Sequence, residues 1–361
     1  VMVRTPLTRL QVKDTKGRPV PRADVELSQQ GAFYGNARTD ANGQLYLSLP
    51  VNVVVPTEPA TATWQAKVSA LGRGSKEFEI SATASANFDR NIPTVPVELP
   101  AASRVVAEIT NAVGKPIPCK VQFVGVEGTP NPYFFEDTGE HAVRNLYYSQ
   151  NGRFTQDIPP GKYDVLISYG PEYDLETIRI EAKQGEDVPL HAKLRQVVNS
   201  PGWISTDFHS HSSPSGDNVS SQLGRVLNLL AEHIEFAPCT EHNRLDTYVP
   251  HLKALGVEHL LGTCTGMELT GSLGTINHQN AFPLVMKPRT QDNGAPLIDT
   301  EPEIQIKRLA LWDNASEKLV QQNHPDMGEM FYDRDGDGIP DDGYKGMFAY
   351  QDVIEVHPIH D

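Results

Sequence analysis

The sequence predicts a multidomain protein in which two β-sandwich modules precede an α/β region. Residues 1–198 contain an internal repeat of short alternating strands separated by Gly, Pro and Asn, and after Pro201 apolar residues take up helical spacing. At 361 residues the chain is long enough for two or three domains, each with its own core. We therefore expect domains at residues 1–100, 101–198 and 199–361.

The repeat consists of two matching stretches, each followed by the same order of elements. Residues 14–21 read DTKGRPVP and residues 111–118 read NAVGKPIP. Each stretch leads into an alternating strand and then an Asn-Gly turn, at Asn42-Gly43 or Asn151-Gly152. The pattern resembles the carboxypeptidase regulatory-like, or transthyretin-like, domain. That resemblance implies a spacer or orienting role, with carbohydrate or partner binding as the alternative.

The α/β region is predicted from an alternation of helical and strand patterns. Ser220 is a candidate cap for a helix that ends at His233, before an apolar strand at residues 234–238. A second helix, near residues 246–255, precedes a strand within residues 259–269. Strand, helix, strand order is typical of a parallel layer, in which ligands bind at the carboxyl ends of the strands.

Histidines and carboxylates gather at the predicted strand ends. His209 and His211 end an alternating strand that begins near Trp203, and residues two apart on a strand share a face. The two imidazoles could therefore chelate one cation. A chance alternation of polar residues is the alternative for this pair alone. The predicted metal ligands are His209, His211, Asp217, His242, Glu268, His278 and His324.

This ligand set contains nitrogen and oxygen donors and no thiolate. Such sets suit zinc, manganese or iron at sites that keep coordination positions open, whereas structural zinc sites favour cysteine. The three cysteines, Cys119, Cys239 and Cys264, are too scattered for a disulfide framework. The ligand set therefore indicates a metal site with open coordination positions for water.

Five motifs together resemble the PHP (polymerase and histidinol phosphatase) domain, in its CehA/McbA-like branch. They are DFHSH at 207–211, TEHN at 240–243, GMELT at 266–270, NHQNAFPL at 277–284 and NHP at 323–325. The resemblance implies a distorted (β/α)7 barrel with two or three divalent metal ions. It further implies hydrolysis of a phosphoester or related ester by metal-bound water, with no protein nucleophile. It also implies hydrogen-bonding support for the ligands from Asp207, Glu241 and Asn243.

The resemblance is incomplete at the C-terminal end. The family closes its barrel with a DxH pair, and none follows Val353 to His357. We therefore expect the barrel to be incomplete in this chain, with a missing segment or a second chain completing it.

A second cation site is predicted at residues 333–342, where the run DRDGDGIPDD resembles the calcium loops of thrombospondin type 3 repeats. Carboxylates at alternate positions with Gly at the turn are suited to Ca²⁺, and a solvated acidic turn is the alternative. The predicted ligands are Asp333, Asp335, Asp337, Ile339, Asp341 and Asp342. A calcium loop and sandwich modules favour an extracytoplasmic location.

Charge and hydropathy exclude other classes. The net charge of −15 argues against a nucleic-acid binder, and no apolar run reaches the length of a membrane span. The leading hypothesis is a metal-dependent phosphoesterase. A carbamate, carboxylester or amide hydrolase, amidohydrolases included, is a second enzymatic hypothesis. The alternative from another class is a non-catalytic extracellular protein that binds a glycan or a partner through a degenerate barrel.

Overall fold

The computed structural model describes residues 2–355 except 54–58, 85–91, 135–138, 141–142, 273, 327–329, 331–332 and 340. His141, His357 and His360 lie outside the described residues, as does one position of the acidic loop, Pro340.

The first module consists of two facing sheets and a small β-ribbon. Its strands are β1 Met2–Arg4, β2 Leu7–Asp14, β3 Asp24–Gln29, β4 Ala32–Arg38, β5 Gln44–Ser48, β6 Val51–Val53, β7 Ala60–Ala70, β8 Gly74–Ala84 and β9 Thr94–Leu99. One sheet has the order β5-β2-β9 and the other β4-β3-β7-β8, while β1 pairs with β6. Strands β2 and β9 run parallel, and the other pairs are antiparallel.

The second module repeats this topology. Its strands are β10 Ser103–Asn111, β11 Cys119–Val126, β12 Leu146–Ser149, β13 Arg153–Ile158, β14 Gly161–Ser168, β15 Glu176–Ala182 and β16 Asp187–Leu194. The sheet β13-β10-β16 matches β5-β2-β9, including its parallel pair, and β12-β11-β14-β15 matches β4-β3-β7-β8.

Each module closes on its own apolar core. Alternating residues of both sheets meet around buried Trp64 in the first module and around Phe123 and Tyr163 in the second. Burial follows the two-residue period because successive side chains on a strand point to opposite faces. The two modules are therefore β-sandwiches with separate cores.

The two modules contact each other through a buried arginine. Arg73 lies in the turn between β7 and β8, and its Nη1 atom is 2.7 Å from Oδ2 of Asp157 on β13. Its Nη2 atom lies 3.9 Å from Oδ2 of Asp14, at the end of β2. One cation therefore links carboxylates of both sandwiches.

The C-terminal region carries the helices and a mixed sheet. Its elements are α1 Gln222–Ala231, α2 Val249–Leu255, β17 Met267–Thr270, β18 His278–Phe282, α3 Pro302–Ala310, α4 Trp312–Ala315, β19 Leu319–Gln322 and β20 Val353–Ile354, with short 3-10 turns at Ser213–Ser215, Thr275–Asn277, Gln291–Gly294 and Lys345–Ala349. The sheet order is β17-β18-β19-β20, and only β19 and β20 run parallel.

The predicted (β/α)7 barrel is wrong. Instead of parallel strands at residues 203–209, 234–238 and 259–269, the structure has single parallel bridges, among them Thr206 to Phe236 and Phe236 to Gly262, before the short strand β17. The next two strand pairs of the sheet are antiparallel. Within the residues that the structure describes, most strands belong to the two sandwiches and no closed barrel forms.

The first predicted helix begins one residue later than expected. The hydroxyl of Ser221, not that of Ser220, accepts the backbone N–H of Gly224 and caps α1. Gly256 ends α2 in the left-handed conformation. In the described part of the chain, no helix combines the length and the apolar character needed to cross a bilayer.

Candidate metal centre

A single buried carboxylate, that of Glu268, lies among five imidazoles. Its Oε2 atom is 3.2 Å from Nε2 of His209, 3.1 Å from Nε2 of His211 and 3.0 Å from Nδ1 of His242. Its Oε1 atom is 3.2 Å from Nδ1 of His278 and 4.0 Å from Nε2 of His324. Six of the seven predicted metal ligands therefore meet at one point.

The mixed sheet and the loops beside it bring these residues together. Glu268 lies on β17, His278 begins the neighbouring strand β18, and His324 follows β19, which pairs with β18. His242 forms a parallel bridge with Glu268. Strand pairing thus gathers ligands from four separate stretches of the sequence at one end of the sheet.

The electrostatics of the cluster are dominated by Glu268. Burial by itself raises the pKa of a carboxyl, but the close contacts with His209, His211, His242 and His278 outweigh it and hold the pKa of Glu268 far below its usual range. Glu268 is therefore an anion at neutral pH.

His209 and His211 approach each other through the same ring atom. Their Nε2 atoms are 2.9 Å apart, and Nδ1 of His209 lies 2.7 Å from Oε2 of Glu355. Burial alone lowers the pKa of His209, but the interactions with Glu268 and Glu355 outweigh it and raise the pKa to about 9. The contact between Glu355 and His209 was not predicted from the sequence. The two residues are 146 positions apart in the chain, so no local pattern of residues links them.

The seventh predicted ligand, Asp217, lies at the outer side of the cluster. Its Oδ2 atom is 3.0 Å from Nε2 of His242. Nδ1 of His242 lies 2.5 Å from Oγ1 of Thr270. The hydrogen bond with Glu268, and then that with Asp217, raise the pKa of His242 against the effect of burial. One ligand atom from each of His211, Asp217 and His242 lies within 4.8 Å of the others.

The other side of the cluster contains polar atoms that lack hydrogen bonds. Oε1 of Glu268 and Nδ1 of His278 are both buried, 3.2 Å apart, and among the residues that the structure describes neither atom has a partner with hydrogen-bond geometry. Burial, followed by the charge of His209, lowers the pKa of His324. Ligand atoms of His209, Glu268 and His324 also lie within 4.8 Å of one another.

The three residues predicted to support the ligands make hydrogen bonds at the cluster. The Asp207 carboxylate accepts the backbone N–H of His209 at 3.0 Å, and burial raises its pKa. Asn243 bonds both backbone groups of Thr270, which contacts His242. Glu241 is fully buried and accepts the backbone N–H of Ser212 at 3.0 Å.

Ser215 connects Glu241 to two of the histidines. Its hydroxyl hydrogen-bonds the Glu241 carboxylate, lies 3.1 Å from Nδ1 of His211, and accepts the backbone N–H of His242 at 3.1 Å. Ser215 is a further contact that the motif search did not identify.

The donor set fits divalent metal ions. Nitrogen and oxygen ligands of tetrahedral zinc lie about 2.0–2.1 Å from the metal and hence roughly 3.3 Å from one another. The contacts of 3.1–3.2 Å that Glu268 makes with His209, His211 and His278 are close to that spacing. Without a proton or a cation between them, ring nitrogens and a carboxylate at this distance would oppose lone pairs.

The acidic loop brings three of its predicted ligands together. Carboxylate oxygens of Asp333, Asp335 and Asp341 lie within 4.8 Å of one another. Asp337 accepts the backbone N–H of Ile339 at 2.7 Å, while the exposed Asp342 pairs with Lys345 outside this group.

No family model matches the sequence, and the search of curated proteins found no match. The structure is similar to that of the Bacillus anthracis TIE protein (14% identity, TM-score 0.25), covering 54% of this chain and 34% of that one. It is also similar to a mutant of the shaft pilin SpaA from Lactobacillus rhamnosus GG (13% identity, TM-score 0.31), covering 54% and 100%, and to a Streptococcal ancillary pilin (14% identity, TM-score 0.24), covering 53% and 62%.

The chain thus spans about a third of the length of the TIE protein. At these identities and TM-scores the likeness carries no argument about function.

The expected membership of the PHP family is therefore wrong. No model of that family matches the chain, and the C-terminal sheet of the described residues is not the family's barrel. The hydrolase assignment rested on that resemblance, so the phosphoesterase hypothesis and its ester, carbamate and amide alternatives are wrong with it.

Proposed function

We propose that this chain is a non-catalytic, extracytoplasmic binding protein whose histidine-carboxylate cluster holds divalent metal ions. The buried Glu268 carboxylate among five imidazoles carries the proposal. Uncompensated burial of an anion costs several kcal/mol, which is comparable to the net folding stability of a small domain. Buried charges are therefore normally paired or coordinate metals. Zinc, manganese and iron all suit the donor set.

The two groups of ligand atoms support two cations rather than one. One group contains His209, Glu268 and His324, and the other contains His211, Asp217 and His242. Glu268 contacts histidines of both groups through Oε2, so its carboxylate is suited to bridge the two cations.

The cluster is partly open, and this supports a binding role. The five histidine side chains expose between 12% and 24% of their surface, and Asp217 exposes 52%. A cation held by three protein ligands keeps a coordination position for an exogenous oxygen donor. We propose that this donor is a carboxylate of a partner, supplied by an acidic glycan or by another protein.

Elemental analysis of purified protein tests the metal site. We expect up to two equivalents of zinc, manganese or iron in the wild type, a large loss in His211→Ala and no change in His259→Ala, a matched control in which an exposed histidine outside the cluster is removed. Wild-type protein that binds none of the three metals after incubation would overturn the proposal.

Two further measurements test the binding role. An immobilised sialylated glycan or an immobilised Glu-rich peptide should retain the metal-loaded protein, and a chelator should release the protein. Retention of only one probe identifies the source of the carboxylate, whereas retention of neither contradicts this role. Metal-dependent turnover of chromogenic phosphate, carboxylate or carbamate esters would contradict the non-catalytic assignment.

The acidic loop is proposed to bind Ca²⁺. The carboxylates of Asp333, Asp335 and Asp341 support this, since Ca²⁺ prefers several oxygen ligands. Calorimetry of Asp335→Asn against Asp342→Asn tests it: only the first should weaken Ca²⁺ binding, because Asp342 lies outside the group. Equal affinities in both variants and the wild type would contradict the assignment. The calcium loop of the C-terminal region, together with the two sandwich modules, is also what supports the extracytoplasmic location.

A further inference from the structure

We infer that Glu355 is a positioning residue of the metal cluster: it accepts the Nδ1–H of His209 and thereby directs Nε2 of that ring at Glu268. The inference rests on the proposed function, because Nε2 is useful in this orientation only if the cluster holds a cation. Glu355 was absent from the ligand set and from the supporting residues that the motifs indicated.

The geometry of the ring assigns the role. Oε2 of Glu355 lies 2.7 Å from Nδ1 of His209, whereas Nε2 lies 3.2 Å from Oε2 of Glu268 and 2.9 Å from Nε2 of His211. A carboxylate only accepts hydrogen bonds, so Nδ1 must carry the proton. In the neutral imidazole Nε2 then holds the free lone pair, which is the form that binds a metal.

Glu355 cannot share the cation that Nε2 of His209 would bind. The two ring nitrogens of an imidazole direct their bonds away from each other, and Glu355 contacts the nitrogen on the far side of the ring from Glu268. Carboxylates that accept a hydrogen bond from a ligating histidine orient the ring and increase its basicity. Glu355 therefore acts on the metal through His209.

Strand pairing brings Glu355 to this position. Val353 and Ile354 pair in parallel with Gln321 and Gln322 of β19, and the backbone N–H of Glu355 donates to the carbonyl of Gln322 at 2.9 Å. The Asp352 carboxylate accepts the backbone N–H of Val320 at 2.8 Å. The strand is thus anchored on both sides of its two paired residues.

Metal affinity in three variants tests the inference. Competition with a chromophoric chelator for Zn²⁺ should show about 10–100-fold weaker binding in Glu355→Ala. Glu355→Gln should restore most of the affinity, since its amide oxygen still accepts the Nδ1–H. Asp352→Asn is the matched control for strand docking, because Asp352 anchors β20 without touching His209, and it should bind zinc within a few-fold of the wild type.

Metal-free protein provides a readout that separates this inference from the proposed function. The wild type should show a low-field proton resonance from Nδ1–H of His209, as expected for a hydrogen bond to a carboxylate, and Glu355→Ala should lose it. Wild-type protein that has this resonance but binds no metal refutes the proposed metal site and leaves only the hydrogen bond between Glu355 and His209. Absence of the resonance, or zinc affinity in Glu355→Ala equal to that of the wild type, refutes the role of Glu355.

Discussion

The Nε2 atoms of His209 and His211 lie 2.9 Å apart, and both are within 3.2 Å of the same oxygen of Glu268. Two unprotonated ring nitrogens at this distance would repel each other and the carboxylate. A proton or a metal ion between these atoms relieves that repulsion. Protons and metal ions therefore compete for the same atoms, and the predictions on the site follow from this competition.

Replacing Glu268 with Gln should abolish metal binding at the cluster. The substitution keeps the side-chain size but removes the charge that contacts four histidines within 3.2 Å. Loss of a ligand should exceed the about 10–100-fold effect of losing an outer hydrogen-bond partner. Zinc should raise the Tm of the wild type and of Glu26→Gln, an exposed control on β3, but not that of Glu268→Gln. A zinc-dependent increase in all three proteins would contradict the prediction.

Metal affinity should increase with pH up to about pH 9. The pKa of His209 is raised from 6.5 to about 9 in the metal-free protein, so a proton must leave before Nε2 can bind a cation. Each displaced proton makes Kd fall about tenfold per pH unit below that pKa. Chelator competition at pH 6, 7 and 8 measures the slope, and a Kd that does not change over this range would contradict the prediction.

The same protonation should stabilise the metal-free fold. A raised histidine pKa contributes stability that is fully present below the unfolded value near 6.5 and is lost as pH rises through about 9. The stability of metal-free wild type relative to His209→Gln should therefore decrease between pH 6.5 and 9. Urea unfolding at several pH values measures this difference, and a constant difference would refute the assignment.

Replacing Asp14 with Asn should destabilise the first sandwich by about 1.5–3 kcal/mol. Its buried carboxylate bonds the backbone N–H groups of Lys16 and Arg18 and the Arg18 guanidinium at 2.8 Å. Asn111 makes the corresponding backbone bonds in the second module, so the Asn variant can retain the turn while losing the ion pair. In Asp24→Asn, which removes a partly exposed pair with Arg38, the cost should stay below about 1 kcal/mol.

The contribution of Asp14 should also depend on pH. Burial by itself raises the pKa of this carboxyl, but hydrogen bonds from Arg18 and the backbone outweigh it and lower the pKa from its ordinary value of 3.8. Its stabilising effect is therefore present above about pH 3.8 and is lost as pH falls through the lower folded value. Unfolding of wild type and Asp14→Asn at pH 7 and pH 3 measures it, and an equal difference at both pH values would argue against the ion pair.

Gly152→Ala should destabilise the second sandwich more than Gly114→Ala does. Both glycines have positive φ, at 72° and 84°, and a methyl group in this conformation costs about 1–2 kcal/mol. A Cβ on Gly152 would also lie 2.3 Å from the carbonyl oxygen of Ile109, whereas one on Gly114 meets open space. Chemical denaturation of the two variants measures the difference, and equal costs would contradict the close approach.

The sandwich strands could be read from the sequence because their signals are local. Alternating burial along β2 and β10 follows the alternating hydrophobicity, and the Asn-Gly pairs at Gly43 and Gly152 lie in the turns before β5 and β13. A period of two needs no knowledge of the partner strand.

The C-terminal region was predicted less well because its apolar runs are ambiguous. The predicted parallel strands at residues 234–238 and 259–269 are reduced to bridges and the strand β17. Short apolar segments do not reveal whether their neighbour runs parallel or antiparallel, and the pairing of β17 with β18 is antiparallel.

The sequence alone determined which residue types were available. It contains five histidines and two carboxylates in short motifs, and an alternation of apolar and polar residues that folds locally into strands. Only the tertiary structure decided that five imidazoles share the Glu268 carboxylate, and that Glu355 lies behind His209. The physical reason is that strand pairing and loop closure join residues far apart in the chain, and no local pattern of residues specifies those partners.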